Sequence, residues 1–193
     1  IIVLSHWHLE HIQRVYPWLK ECRVIDKGWP ASYHDEQPRP VFYPEGKCTH
    51  LPVLVVLPHA IYPQRFSQVV AKHMYQFIWA SAADRGLVEL LELWPQILAW
   101  QPTATLKIFY GWEYFDKYIA AVPQLSDIKA RVQKLSSQPG VQWCGRVGQD
   151  ALAKHLLESD IWFYPPHDFR ETGCIIALEA QAAYVQCFAR ANG

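Results

Sequence analysis

From residue 76 onward, short apolar runs alternate with longer segments whose apolar residues recur at helical spacing. The runs predict strands, and the helical spacing together with Asp84 as an N-cap predicts the first of the helices. The predicted strands are 76–80, 105–110, 141–145, 161–165 and 185–189. The predicted helices are 84–100, 125–137, 149–159 and 172–183, the last with almost no polar face.

Strands that alternate with helices of this length predict an α/β fold. They favour right-handed βαβ units and a Rossmann-like parallel sheet with helices on both faces. Ligands in such folds bind where the carboxyl ends of the strands meet the following helices. We therefore expect the functional residues to lie at these junctions.

The beginning of the chain is less regular. Residues 1–17 predict a strand, a turn and a helix, and 22–26 another short strand. Residues 27–52 hold several prolines and few periodic apolar positions, which is typical of a loop or an insertion. We divide the chain into a first part, 1–66, and a second domain, 67–193.

Composition narrows the classes of function. Of 193 residues, 51% are hydrophobic and 19% charged, which is typical of a globular protein. Lysine plus arginine equals aspartate plus glutamate at 18 each, which argues against a broad nucleic-acid surface but allows a local site for a diphosphate. No apolar run approaches the roughly 18 residues of a membrane span.

The five cysteines are scattered and include no C-x-x-C pair. This pattern disfavours a disulfide framework or a structural zinc site and favours a reducing, cytoplasmic location. Three histidines, His6, His8 and His11, are spaced to allow a shared metal, but no acidic or thiol ligand stands at matching spacing, so surface or capping roles are favoured. The chain opens on Ile1 without an initiator methionine, and we interpret it as a fragment of something longer.

Two glutamates flank an apolar segment, Glu171 before it and Glu179 inside it. If the helix starts near Thr172, their carboxylates lie roughly 12 Å apart along its axis, about the span from sugar to ribose in a nucleoside-diphosphate sugar. The free N–H groups of Thr172, Gly173 and Cys174 would face the diphosphate at the positive end of the helix dipole. In the alternative, Glu171 is solvated and Glu179 lies at an exposed helix edge.

The segment "ETGCIIALEAQAA" resembles the E-x7-E segment of retaining glycosyltransferases with the GT-B fold, in the large family that includes sucrose synthases and mannosyltransferases. Four further stretches are similar to motifs of that family in the same order: "VLSHWHLEHI", "LPHAIYPQRF", "FIWASAADRGLVELLELWPQI" and "GVQWCGRVGQDALAKHL". The resemblance covers about four fifths of the chain. It implies that 1–66 is the end of the N-terminal, acceptor-binding domain with the linker and an irregular insertion. It further implies that 67–193 is the nucleotide-sugar donor-binding half of a GT-B enzyme, truncated at its C-terminal end.

The resemblance assigns roles to residues of this sequence. It implies that Arg85 neutralises the diphosphate as the leaving group departs, that Glu171 holds the donor sugar and that Glu179 holds the ribose. The remaining donor-binding positions are Ser81, Gly86, Gly111, Trp112, Arg146 and Val147, besides Thr172, Gly173 and Cys174. It further implies a nucleotide sugar as donor, retained anomeric configuration, an unidentified sugar, lipid or protein acceptor, and no metal or other cofactor.

The sequence also departs from the family pattern. Ser81 stands where many members carry an arginine, and Ala183 and Tyr184 replace a glycine that commonly follows the Glu-Ala-x-Ala stretch. A non-catalytic nucleotide-sugar-binding or regulatory module of the same fold therefore stays open, as does a GT-B sugar-nucleotide epimerase. Because half of a two-domain cleft is missing, we expect the isolated chain to be inactive.

Overall fold

The computed structural model describes residues 2–3, 6–22, 24–25, 54–56, 59–123, 125–165 and 173–190. The described chain forms two compact units. The first contains the described residues up to Ala60 together with Gly173 and Cys174, and the second contains 61–165 and 175–190. The predicted loop at 27–52 lies outside the described residues.

The described residues of the first unit form a small parallel sheet, one α-helix and one 3-10 helix. Its elements are β1 (Ile2–Val3), α1 (His6–Val15), a 3-10 helix (Pro17–Glu21), β2 (Val24–Ile25) and β3 (Leu54–Val56). The strand order is β1-β3-β2, with both pairings parallel. Its core consists of Leu9, Leu19, Cys22 and Leu54, with Ile12 packed against them.

The described residues of the second unit form two 3-10 helices, five α-helices and five strands. Its elements are a 3-10 helix (Pro63–Phe66), β4 (Gln76–Trp79), a 3-10 helix (Ala83–Arg85), α2 (Leu87–Trp100), β5 (Thr105–Ile108), α3 (Trp112–Ala121), α4 (Leu125–Leu135), β6 (Val141–Trp143), α5 (Gln149–Glu158), β7 (Ile161–Tyr164), α6 (Ile175–Ala182) and β8 (Gln186–Ala189). The predicted strands and helices are confirmed to within a few residues, but α3 was not predicted.

All five strands of this unit run parallel in the order β6-β5-β4-β7-β8. The first strand of the unit therefore lies at the centre, and successive strands add first on one side and then on the other, which is the Rossmann arrangement. α2 packs against α4, and α5 packs against α6. The predicted Rossmann-like α/β fold is thus confirmed.

The burial pattern follows from this order. Every residue of the central strand β4 is buried, whereas all four residues of the edge strand β8 are exposed. The apolar face of α2, which the helical spacing predicted, supplies Leu87, Leu90, Leu91 and Trp94 to the core. Trp162 is also buried, whereas Trp100 at the end of α2 is 72% exposed and meets the ring of Tyr75 edge to face.

Helix α2 continues through Pro95, which lacks the N–H that would normally bind the carbonyl of Leu91. The side-chain amide of Gln138 donates a hydrogen bond to this carbonyl at 2.8 Å. A second chain segment thereby satisfies the group that the proline leaves without a helical partner.

Helix α6 ends in a Schellman motif. The N–H of Val185 donates to the carbonyl of Ala180 at 2.9 Å, and the N–H of Tyr184 donates to that of Gln181 at 3.0 Å. Tyr184 has a φ of 55°, the left-handed conformation that favours glycine. The motif is therefore retained although tyrosine stands at the position that glycine usually occupies.

Candidate functional site

The candidate site lies at the carboxyl ends of the strands of the second unit. The strand order reverses between β4 and β7, and the crevice at such a switch point is where open α/β sheets bind ligands. The loops 80–86, 109–111 and 144–148 follow β4, β5 and β6 and so share this edge. Half of the predicted binding residues, Ser81, Arg85, Gly86, Gly111, Arg146 and Val147, stand on these three loops.

The loop after β4 carries Ser81, Arg85 and Gly86. The carbonyl of Ser81 accepts a hydrogen bond from the indole N–H of Trp79 at 2.8 Å, which fixes the start of the loop. Gly86 is buried and has a φ of 100°, so a residue with a Cβ would be strained there. This glycine turns the chain from the 3-10 helix into α2.

The prediction that Asp84 caps α2 is wrong. Asp84 lies inside the 3-10 helix, and Gly86, which precedes α2, makes no side-chain cap. The carboxylate of Asp84 instead lies 3.8 Å from Nε of Arg85, and both side chains are largely covered. Arg85 is thus held by an acidic neighbour at the end of the central strand.

The loops after β5 and β6 touch each other through Gly111 and Arg146. A Cβ at Gly111 would lie only 3.0 Å from the Cβ of Arg146, so the absence of a side chain permits this close approach. Beside the contact is a pocket of ≈ 300 Å³, lined by Phe109, Tyr110, Gly111, Arg146, Val147 and Leu152. Three predicted residues, Gly111, Arg146 and Val147, therefore share one pocket.

Tyr110, which lines this pocket, was not among the predicted residues, and the charges of both arginines act on it. Burial raises the pKa of Tyr110, Asp84 and Asp116 raise it further, and Arg85 and Arg146 act in the opposite direction. The phenol thus lies within electrostatic reach of cations from the loops after β4 and β6. Its position between β5 and Gly111, at the carboxyl end of a strand, could have indicated a role in the site.

Trp112 begins α3 and belongs to an aromatic cluster rather than to the pocket lining. Its indole stacks on that of Trp143, with ring centroids 5.0 Å apart and an interplanar angle of 6°. The ammonium of Lys129 lies over the same ring, 5.4 Å from its centroid. The stacking on Trp143 and the cation–π contact therefore fix the first turn of α3 beside the loop after β5.

Glu179 is half-buried on α6. Burial raises the pKa of this carboxyl group, and the positive charge of Arg65 partly opposes the rise. Arg65 belongs to the 3-10 helix Pro63–Phe66, which packs against both α5 and α6, and its Nε donates to Asp150 at 2.8 Å. The positive charge that acts on Glu179 is therefore that of Arg65, which the sequence did not indicate.

The start of α6 differs from the prediction. The helix begins at Ile175 rather than near Thr172, so Gly173 and Cys174 precede it. Glu171 and Thr172 lie outside the described residues, and their predicted roles stay predictions. Ile176 and Ala180 are buried on α6, but Ile175 and Leu178 are exposed, so the apolar character of this helix exceeds what its described neighbours cover.

Two further features of the described residues are their metal-ligand groupings and the lengths of their apolar helices. Among the described residues, no group of three or more histidine, cysteine, aspartate or glutamate side chains is arranged to hold a metal ion. Within the same part of the chain, no helix is both long and apolar enough to cross a bilayer.

Comparison with known proteins identifies similar structures. No family model matches the chain, and no curated protein matches it. The pneumococcal O-GlcNAc transferase GtfA, solved in complex with UDP and GlcNAc, matches with a TM-score of 0.57 at 13% identity, over 100% of this chain and 30% of that chain. A GtfA/B complex matches with a TM-score of 0.52 at 13% identity, over 97% of this chain and 29% of that one.

At this identity, the likeness shows the fold alone. The second unit has a Rossmann-like α/β fold similar to that of a GT-B glycosyltransferase domain. The chain spans under a third of the length of either similar structure.

Proposed function

We propose that this chain is the donor-binding part of a glycosyltransferase that uses a nucleoside-diphosphate sugar. The observation that carries the proposal is the pocket that Tyr110 and Arg146 line, with Arg85, on the loop after β4, within electrostatic reach of the same phenol. This grouping lies at the edge of a Rossmann-ordered sheet where ligands bind. Guanidinium groups match phosphate oxygens in geometry and charge, so a diphosphate is the ligand that suits the pair.

Further support comes from the similar structures. The pneumococcal GtfA structure holds UDP and GlcNAc, the two halves of a nucleotide sugar. The pocket lined by Phe109, Val147 and Leu152 offers apolar walls next to Arg146, which suits a ligand that is part ring and part anion. In the whole protein, we propose that such a donor passes its sugar to an acceptor that these residues do not identify.

We also propose transfer with retention and without a metal ion. The resemblance of residues 171–183 to the E-x7-E segment supports retention, with Glu171 on the sugar and Glu179 on the ribose. The two arginines would supply the electrostatic stabilisation of the departing diphosphate that a divalent cation supplies in other transferases. None of the described cysteines forms a disulfide, and we expect a cytoplasmic location.

Calorimetric titration of the chain with nucleosides, nucleoside diphosphates and nucleotide sugars tests the binding. We expect one nucleoside diphosphate to bind at least tenfold more tightly than its nucleoside, and binding to persist in EDTA. Failure of every nucleoside diphosphate to bind would overturn the proposal. A requirement for added Mg²⁺ or Mn²⁺ would overturn the metal-free part of it.

The activity of the whole protein needs a separate experiment. We expect transfer from the donor with the anomeric configuration retained in the product, as determined by NMR, and lower turnover for Glu171→Gln with nearly unchanged diphosphate affinity. Binding without turnover would favour the non-catalytic module. Interconversion of sugar nucleotides without an acceptor would favour the epimerase.

A further inference from the structure

Two aromatic contacts hold the ring of Tyr110 in place. Its ring meets Trp112 at a centroid distance of 5.8 Å and Phe115 at 6.2 Å, both edge to face. Phe115 is 2% exposed and so provides a firm support. The contacts orient the ring of Tyr110 where it forms part of the pocket wall.

The charges around the phenol come from several elements. Arg85 and Asp84 lie after β4, Arg146 after β6, and Asp116 on α3, and all four act on Tyr110. A phenol is protonated at neutral pH, and burial and the carboxylates raise the pKa of Tyr110 further, so its O–H is available to donate. A neutral donor beside two guanidinium groups complements an anion with several oxygen acceptors.

We propose that Tyr110 is a further donor-binding residue, whose phenolic O–H donates a hydrogen bond to a phosphate oxygen held by Arg85 and Arg146. This inference rests on the proposed function and extends it to a residue outside the family resemblance. The hydroxyl serves the phosphate, whereas the ring forms a wall of the pocket. The two parts of the side chain can therefore be tested separately.

The decisive variant is Tyr110→Phe, which keeps the ring and its contacts with Trp112 and Phe115. We expect it to weaken binding of the preferred nucleoside diphosphate about tenfold or more, as for a lost hydrogen bond to a charged group, and to leave nucleoside binding unchanged. Tyr62→Phe is the matched control, since Tyr62 is 70% exposed and lies before the 3-10 helix Pro63–Phe66. That control should bind both ligands like the wild type.

Calorimetry with the diphosphate and the nucleoside, and a thermal melt of each variant, separates the outcomes. An unchanged diphosphate affinity in Tyr110→Phe, or equal losses for both ligands, would overturn the inference. If Arg85→Ala and Arg146→Ala weaken diphosphate binding while Tyr110→Phe does not, the proposed function stands and the role of Tyr110 fails. If the wild type binds no nucleoside diphosphate, both fail.

Discussion

The side-chain amide of Gln138 replaces the backbone N–H that Pro95 cannot offer to the carbonyl of Leu91. This relation joins the middle of α2 to the turn after α4. We expect Gln138→Ala to lower the free energy of unfolding by about 1–3 kcal/mol, because it leaves a partly buried carbonyl without a donor.

A double-mutant cycle tests the compensation. In a Pro95→Ala background, the new backbone N–H can reach Leu91, so the loss from Gln138→Ala should shrink by about 1 kcal/mol. Urea unfolding of the four proteins measures the coupling. Additive effects would show that Gln138 acts through other contacts, such as its bond to the carbonyl of Leu135.

The two arginines of the candidate site should contribute separately to diphosphate binding. We expect Arg85→Ala and Arg146→Ala each to weaken nucleoside diphosphate binding by about 1.5–3 kcal/mol, the range for hydrogen bonds to charged groups. Binding of the nucleoside should barely change.

Lys154→Ala is the matched control for these variants. It also removes one positive charge, but Lys154 is exposed and stands two residues after Leu152, on a different face of α5. Titration calorimetry at a single ionic strength measures all three. Equal losses for nucleoside and diphosphate would assign a structural role to the arginine concerned.

We expect the carboxylate of Glu179 to bind the ribose and to lower the stability of the folded protein at neutral pH. Because burial raises its pKa in the folded state, the protonated form favours folding, and stability declines as the pH rises from below 4.5 through the raised value. Glu179→Gln should remove this decline and be at least as stable as the wild type at neutral pH. It should also bind every nucleotide more weakly, because an amide is a poorer acceptor than a carboxylate.

Thermal melts between pH 4 and pH 8, with nucleotide titrations at pH 7, check both parts. Glu113→Gln, at an exposed position on α3, serves as the control and should change neither quantity. A Glu179→Gln variant that melts lower at neutral pH would contradict the stability prediction. Unchanged nucleotide affinity would contradict the ribose role.

Tyr184→Gly should stabilise the second unit. The left-handed conformation costs an L-residue about 1–2 kcal/mol, and glycine offsets part of this gain through its greater freedom in the unfolded chain, about 0.5–1 kcal/mol. Tyr184 is 84% exposed, so little packing is lost with its ring. We expect a net gain of roughly 0.5–1 kcal/mol.

Tyr184→Ala separates the backbone effect from the loss of the ring. It removes the same ring but retains a Cβ, so it should not be stabilising. Chemical denaturation of both variants gives the comparison. Equal stability of the glycine and alanine variants would mean that the φ of 55° carries no strain.

The sheet of the second unit could be predicted because its strands are short apolar runs between amphipathic helices. Phe77, Ile78 and Trp79 form an apolar run in β4, and each later strand follows a predicted helix or a helix-length segment. Helix α3 escaped prediction because its aromatic and charged residues mask a spacing that Trp112, Phe115 and Ile119 do display. The Asp84 cap was wrong because a 3-10 helix and the left-handed Gly86 intervene.

The candidate site was less predictable than the fold. Resemblance and position predicted three of its residues one at a time, namely Arg85, Gly111 and Arg146. Nothing in their spacing indicated that the charges of both arginines would act on Tyr110. The neighbour of Glu179, Arg65, stands far upstream, and only the packing of a short 3-10 helix against α5 and α6 brings the two within electrostatic reach. Such pairings depend on tertiary packing, which local pattern does not encode.

The position of β4 at the centre of its sheet bears on the order in which the second unit folds. On one side, β4 meets β5 after one helix and β5 meets β6 after two, whereas on the other side Phe77 must find Ile161. Pairings between distant chain segments form more slowly because a longer loop must close first. We expect the half that carries Arg85, Tyr110 and Arg146 to assemble early, and the helix that carries Glu179 to dock last.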